Sequence, residues 1–488
     1  MSEVKQYPLY LNGEMQMTST VSEVINPATG EVIARMSTTD RKRLAEAIED
    51  ADSAWKSWRT LTGRERGVFL NRLADLVDQR RAEIARTITL ENGKPLAQSI
   101  GEVVLAVDHL RWFAEEARRA YGRVIPHQTS GKRNLVIRTP LGVIGAISPW
   151  NFPLMLAVRK IAPALAAGNT VILKPAGQTP LTAVALAECV AASDLPRGVF
   201  QMLLGPPEEF GRELLENPLC RKVTFTGSTA VGRVLIAGAA ATIKPLALEL
   251  GGHAPVLVFG DIDPERAVEG VMMAKFRNSG QSCIAANRIF VERRIYDDFV
   301  AALTARTAAL RVGNGLEPGV EVGPLIDERA LGRALGQIED AVEGGARIRC
   351  GGYRLPGGGS FLAPTILTDL PPDAVCLREE TFAPLAPVIP FDDEEQAISL
   401  ANRSIYGLSA YAFTGDLSRA FRLMESLEAG TISINDGLPT TSQSPFGGVK
   451  QSGWGRELGS EGLDAFLETR HISLGIEESL PPYSGKEN

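Results

Sequence analysis

From about Thr39 to Thr89, apolar residues return at three- and four-residue steps: Leu44, Ala47, Ile48, Ala51, Trp55 and Trp58, then Phe69, Leu70, Leu73, Leu76 and Val77. This spacing puts them on one face and predicts amphipathic helices that cover another layer. From Leu141 the pattern changes to short apolar runs, Val143 to Ile147, Thr170 to Leu173, Val199 to Leu203, Lys222 to Thr226 and Leu246 to Leu250, separated by helical segments. Strands alternating with helices predict βαβ units and a parallel sheet, hence a doubly wound α/β domain. The alternation resumes at Pro255 to Phe259, Arg288 to Val291 and Thr431 to Ile434, which predicts a second α/β domain beyond a boundary at Gly251-Gly252. One stretch, Thr139 to Val158, is uncharged and long enough to cross a bilayer. Pro140, Pro149 and Pro153 remove backbone donors and oppose a spanning helix, so a buried strand followed by an irregular loop is expected there.

Composition adds limits. With 488 residues, 44% hydrophobic and 22% charged, the chain has the make-up of a folded protein of two or three domains. The formal charge of -7 comes with no basic block, which argues against nucleic acid as a partner. Five widely spaced cysteines, no C-x-x-C pair and only four histidines point to a reduced compartment and no metal site. Met1 to Lys5 carries early charge and leads into no secretory signal, so a cytoplasmic protein without a membrane segment is expected.

Two residues suggest chemistry. Cys283 follows the polar, glycine-containing run Phe276-Arg277-Asn278-Ser279-Gly280-Gln281-Ser282, and a thiol there is a candidate nucleophile. Glu249 lies in Leu246-Ala247-Leu248-Glu249-Leu250, where apolar neighbours would raise its pKa toward that of a useful base. The boundary at Gly251-Gly252 would set the two facing each other across a domain cleft. Taken alone, Cys283 reads first as a free core cysteine and Glu249 as a glutamate exposed on the outer face of a strand. No Gly-x-Gly-x-x-Gly occurs, so a nucleotide site rests on two weaker patterns. In Phe225-Thr226-Gly227-Ser228-Thr229 a strand runs into a helix whose free amides could hold a pyrophosphate, and Lys174 ends another strand.

Read with Pro149-Trp150-Asn151-Phe152-Pro153, Leu165-Ala166-Ala167-Gly168-Asn169, Glu379-Glu380-Thr381-Phe382-Ala383-Pro384 and Pro445-Phe446-Gly447-Gly448, these segments closely resemble the aldehyde dehydrogenase superfamily from about Tyr10 to about Leu474. The resemblance implies two doubly wound α/β domains plus a small β oligomerisation element. The coenzyme-binding domain would comprise 1–121 and 141–250, and the catalytic domain 251–450. Segments 122–140 and 451–488 would form the oligomerisation element and C-terminal tail of a homodimer or homotetramer. It further implies that Cys283 attacks an aldehyde to give a thiohemiacetal that is oxidised to a thioester, and that Glu249 activates the hydrolytic water. The Asn151 amide and the Cys283 backbone N–H would form the oxyanion hole. NAD or NADP would be held by Lys174 and Glu380 at the ribose positions and by Thr226, Gly227 and Ser228 at the pyrophosphate. Phe382 would lie beside the nicotinamide ribose, with Ile147, Pro149, Trp150, Gly177 and Leu250 completing the site.

Within the superfamily the chain looks most like succinate-semialdehyde dehydrogenases. Arg159 and Arg277 match the pair that grips the distal carboxylate of a small acidic aldehyde, and Thr441 stands where that group has a serine. Glutarate semialdehyde and 2-oxoglutarate semialdehyde are the alternatives. Gly177 carries neither the hydroxyl nor the carboxylate by which relatives choose between coenzymes. Ile284-Ala285-Ala286 lacks the second cysteine of a disulfide switch. A nicotinamide-independent cysteine hydrolase is the rival class; His109, His127, His253 and His471 form no motif for it.

Overall fold

The computed structural model describes residues 4–476. The early periodic stretch forms three helices, Arg41–Trp58, Gly63–Gln79 and Arg81–Asn92. Asp40 caps the first by accepting from the Arg43 N–H, and Thr62 with Glu65 forms a reciprocal box at the second. A fourth helix, Leu96–Glu116, lies beyond the expected stretch. Its buried face mixes Val103, Ala106, Leu110 and Phe113 with Ser99, Glu102 and His109, and those polar residues interrupt the apolar stripe.

All five strands expected in the first domain form, and they run parallel: Val143–Ile147, Thr170–Lys174, Phe200–Met202, Cys220–Thr226 and Leu246–Glu249. Val143–Ile147 pairs with Thr170–Lys174 on one side and Cys220–Thr226 on the other, so the order of strands reverses there. Such a switch point opens a crevice at the carboxyl ends of the strands. Short antiparallel strands extend both edges: Leu9–Leu11 with Glu14–Gln16 at one, and Gly453–Trp454 beside Leu248 and Glu249 at the other.

The chain leaves the first sheet at Glu249 and enters a second at Ala254. That sheet has seven strands in the order Arg347–Cys350, Thr365–Thr368, Leu385–Phe391, Ala286–Glu292, Ala254–Val258, Ser409–Phe413 and Thr431–Ile434, antiparallel only at the first pair. A third sheet joins Arg123–Ile125, Lys132–Pro140 and Leu467–Gly475, with Leu467 opposite Pro140 and Gly475 opposite Lys132.

Two expectations change in detail. The stretch from Thr139 to Val158 is not strand and loop throughout: after the buried strand and a loop, the helix Met155–Ala167 begins inside it. Pro153 precedes that helix, where a missing backbone donor costs nothing, and Pro163 is tolerated within it. The tail 451–488 divides. Gly453–Trp454 closes the first sheet, Leu467–Gly475 joins the third, and residues 477–488 lie outside the described residues.

Candidate active site

A cavity of about 710 Å³ occupies the crevice at the switch point. Thirteen residues singled out from the sequence line it: Ile147, Pro149, Trp150, Asn151, Lys174, Gly177, Thr226, Gly227, Ser228, Leu250, Cys283, Glu380 and Phe382. Glu249, Arg159, Arg277 and Thr441 stand outside that lining.

Cys283 is set by a tight turn. The helix Pro264–Phe276 ends, and Asn278, Ser279 and Gly280 follow with φ of 51°, 56° and 73°. Two non-glycine residues in this region are strained unless the surroundings hold them. Here they are held: Asn278 Nδ2 donates to the Asn151 backbone oxygen at 2.8 Å, its N–H donates to Gln98 Oε1 at 2.7 Å, and Ser279 Oγ donates to the Gly323 oxygen at 2.9 Å. Gly252 packs so closely that a Cβ on it would lie 2.2 Å from the Cys283 oxygen. Cys283 keeps part of its surface open to the cavity. Burial, with the charge of Glu380 adding to it, nevertheless pushes its thiol up to about 12, and Arg159 opposes the shift. The polar loop therefore does not by itself make a thiolate.

Asn151 is held from two sides. Lys94 Nζ donates to its backbone oxygen at 2.6 Å and to Glu102 Oε2 at 2.6 Å, a fully buried pair. Glu102 Oε1 in turn accepts from the Leu154 and Met155 N–H groups at the start of the next helix. The Asn151 side-chain Nδ2 donates to the Gln281 oxygen at 3.1 Å, and among the described residues its second N–H is left free for a ligand and its buried Oδ1 has no partner.

Glu249 ends its strand, its backbone oxygen accepting from the Gly227 N–H at 3.0 Å. Its carboxylate is buried, with Oε2 unpartnered among the described residues, and Gly447 comes close enough that a Cβ there would lie 2.9 Å from Oε1. Burial first, then repulsion by Glu457, raises its pKa well above the usual carboxylate range, opposed by Lys160, Arg159 and Arg456. That places Glu249 where a general base is useful.

The cavity wall suits a nicotinamide dinucleotide. Ser228 caps the helix Thr229–Ala239 and lines the cavity, so the amino-terminal end of that helix lies at this wall beside Thr226, whose buried Oγ1 has no partner among the described residues. Glu380 accepts from the Gly252 N–H at 3.1 Å, and burial raises its pKa to about 7. Lys174 is buried and bonded only weakly, to the Pro175 oxygen at 3.4 Å, and burial lowers its pKa. Nothing lies within 4 Å of a Cβ placed on Gly177. Acceptors, a cation and free amides are thus set at one concave wall. Phe382, at φ 45°, stacks edge-on against Trp150 with ring centres 5.5 Å apart.

Both arginines are shielded. Arg159 is buried, its guanidinium over the Phe446 ring at 4.9 Å and its Nε donating to His109 Nε2 at 3.3 Å. Arg277 lies over Phe152 at 5.3 Å. Among the described residues neither makes a salt bridge. Thr441 turns its hydroxyl to Gln443 Oε1 at 2.6 Å, whereas the next hydroxyl, Ser442, points inward to His109 and Asp108. Sequence reasoning missed Lys94, Glu102, His109, Lys160, Ser442 and Glu457. The available signal was charge inside apolar helices, as at Glu102 and at Lys160 within Met155–Ala167.

Comparison with known proteins follows the same lines. The family model described as "Aldehyde dehydrogenase family" matches residues 15–472. A glutarate-semialdehyde dehydrogenase of Pseudomonas aeruginosa is 48% identical over 453 residues, 93% of this chain and 94% of that one. An NADP(+) succinate-semialdehyde dehydrogenase of Escherichia coli K12 is 46% identical, again over 93% and 94%. The crystal structure of succinate-semialdehyde dehydrogenase from Burkholderia pseudomallei superposes with a TM-score of 0.95 at 43% identity, covering 96% of this chain and 98% of that one.

Proposed function

The chain belongs to the aldehyde dehydrogenase family, and from that membership we propose that it oxidises a short carboxylate-bearing aldehyde, succinate semialdehyde foremost, to the acid with NAD or NADP. The observation that carries the substrate class is the pair Arg159, buried, and Arg277, half-buried, neither with a carboxylate partner among the described residues, with Arg159 close enough to Cys283 to act on its charge. A buried cation left unpaired is costly, and an anionic substrate would offset that cost.

In this reading the Cys283 thiol gives up its proton to solvent as Sγ adds to the aldehyde carbon. The developing oxyanion takes the free N–H of Asn151 and the Cys283 backbone N–H. Lys174, Glu380 and the Thr226-Gly227-Ser228 turn would hold a nicotinamide dinucleotide, which when bound would supply the hydride acceptor. Cys283 then carries the acyl group as a thioester. Glu249 takes a proton from water, the hydroxide attacks the thioester carbon, the C–S bond breaks to release the acid, and the proton held by Glu249 returns Cys283 Sγ to the thiol. The balance is aldehyde plus water plus oxidised coenzyme giving acid, reduced coenzyme and a proton.

Glutarate semialdehyde is the second reading, favoured by Thr441, whose hydroxyl is turned away toward Gln443. We place the enzyme in the cytoplasm as a homodimer or homotetramer joined through the exposed sheet of Lys132–Pro140 and Leu467–Gly475. Steady-state turnover of an aldehyde panel, followed by reduced nicotinamide, tests the substrate. Acidic aldehydes should lead, and Arg277→Ala should abolish that lead; neutral aldehydes outrunning every acidic one would overturn the reading.

A further inference from the structure

We propose that His109, tied through Ser442 to Asp108, is a positioning residue that sets the Arg159 guanidinium for the distal carboxylate of the substrate, and that it thereby determines specificity. The inference rests on the acidic-aldehyde reading above.

The hydrogens along this chain can run only one way. Arg159 has donors and no acceptor, so its Nε–H donates to His109 Nε2 at 3.3 Å. The imidazole proton is then on Nδ1 and donates to Ser442 Oγ at 2.7 Å. The Ser442 hydroxyl in turn donates to Asp108 Oδ2, and a carboxylate only accepts. His109 and Ser442 each donate once and accept once, between the Arg159 donor at one end and the exposed Asp108 acceptor at the other.

The choice of residue has a consequence for charge. His109 is fully buried, and burial with the neighbouring Arg159 cation holds it neutral. A carboxylate in its place would fix Arg159 equally well but would neutralise it. The imidazole fixes one edge of the guanidinium through Nε and leaves the full positive charge for a ligand at the terminal nitrogens. The Phe446 ring supports the guanidinium plane at 4.9 Å. The same chain fastens the loop carrying Thr441 to the helix Leu96–Glu116, so the two sides of the carboxylate site are set together.

The test uses the full chain and two aldehydes of equal carbon number, succinate semialdehyde and butanal. His109→Leu should raise KM for succinate semialdehyde roughly tenfold or more, the size expected when a buried donor loses its acceptor. The kcat for succinate semialdehyde, and kcat/KM for butanal, should stay within about threefold. His109→Gln, which keeps an acceptor, should recover most of the KM. Ser442→Ala should shift KM in the same direction, and it carries the test if His109→Leu does not fold. An unchanged KM in these variants, or equal losses on both aldehydes, overturns the proposal alone. A wild-type enzyme that turns over butanal as well as succinate semialdehyde overturns the acidic-substrate reading, and this inference with it.

Discussion

Glu457 lies close enough to Glu249 for its charge to hold the Glu249 proton on, second only to burial, while Lys160 Nζ pins Glu457 itself at 2.6 Å. A base must be ionised to take a proton from water, so thioester hydrolysis should rise with pH through a value well above the ordinary glutamate range. Glu457→Gln removes the repelling charge and frees the Lys160 cation. Both changes lower the Glu249 pKa. The rising limb of single-turnover deacylation should therefore move to lower pH in the variant, and a limb that stays put or moves up contradicts the assignment.

Lys94 bonds Glu102 and the Asn151 backbone oxygen at 2.6 Å each, with its side chain 1% exposed and that of Glu102 0%. Lys94→Met leaves a buried carboxylate uncompensated, a change that costs about 3–5 kcal/mol. Chemical denaturation should show that loss. Turnover of the folded fraction should also fall, because the loop bearing the oxyanion donor loses its tether.

The Gly252 backbone passes so close to the Cys283 oxygen that an added Cβ would lie 2.2 Å away, and the obstacle is backbone, which cannot swing aside. Gly252→Ala should displace the nucleophile. A misplacement of about 1 Å costs on the order of a hundredfold in rate. Acylation followed by a burst of reduced coenzyme should drop by about that factor, while fluorescence titration should find coenzyme binding retained.

These relationships differ in how visible they are before folding. The parallel strands were legible because they are buried on both faces and read as continuous apolar runs; Val143–Ile147 and Ala254–Val258 are the plainest cases. The helix Leu96–Glu116 was not, since Glu102 and His109 sit on its buried face and break the periodicity. Cys283, Asn151 and the coenzyme loops carry local motifs, and all line one cavity. The supporting polar residues carry none: His109 meets Ser442 across 333 positions, and Lys160 meets Glu457 across 297. Such pairs exist only once two sheets and a returning tail have packed. The short edge strands Leu9–Leu11 and Gly453–Trp454 escaped notice because two or three residues show no period.

We propose Gly177 as a determinant of coenzyme choice, because the cavity wall is open there and a Cβ meets nothing within 4 Å among the described residues. Gly177→Glu should fit without strain and place a carboxylate near the phosphate that distinguishes NADP from NAD. Like charges there repel, so KM for NADP should rise about tenfold or more while KM for NAD changes little. Parallel kinetics with the two coenzymes read the outcome, and an equal effect on both would show that Gly177 does not face that phosphate.

In the proposed cycle Cys283 carries the acyl group and Glu249 releases it. Intact-protein and peptide mass spectrometry of Glu249→Gln, mixed with succinate semialdehyde and oxidised coenzyme, tests this most directly. The variant should yield one equivalent of reduced coenzyme and then stall, with a succinyl group on the peptide containing Cys283. Steady turnover at the wild-type rate, or an acyl group on any other residue, would contradict it.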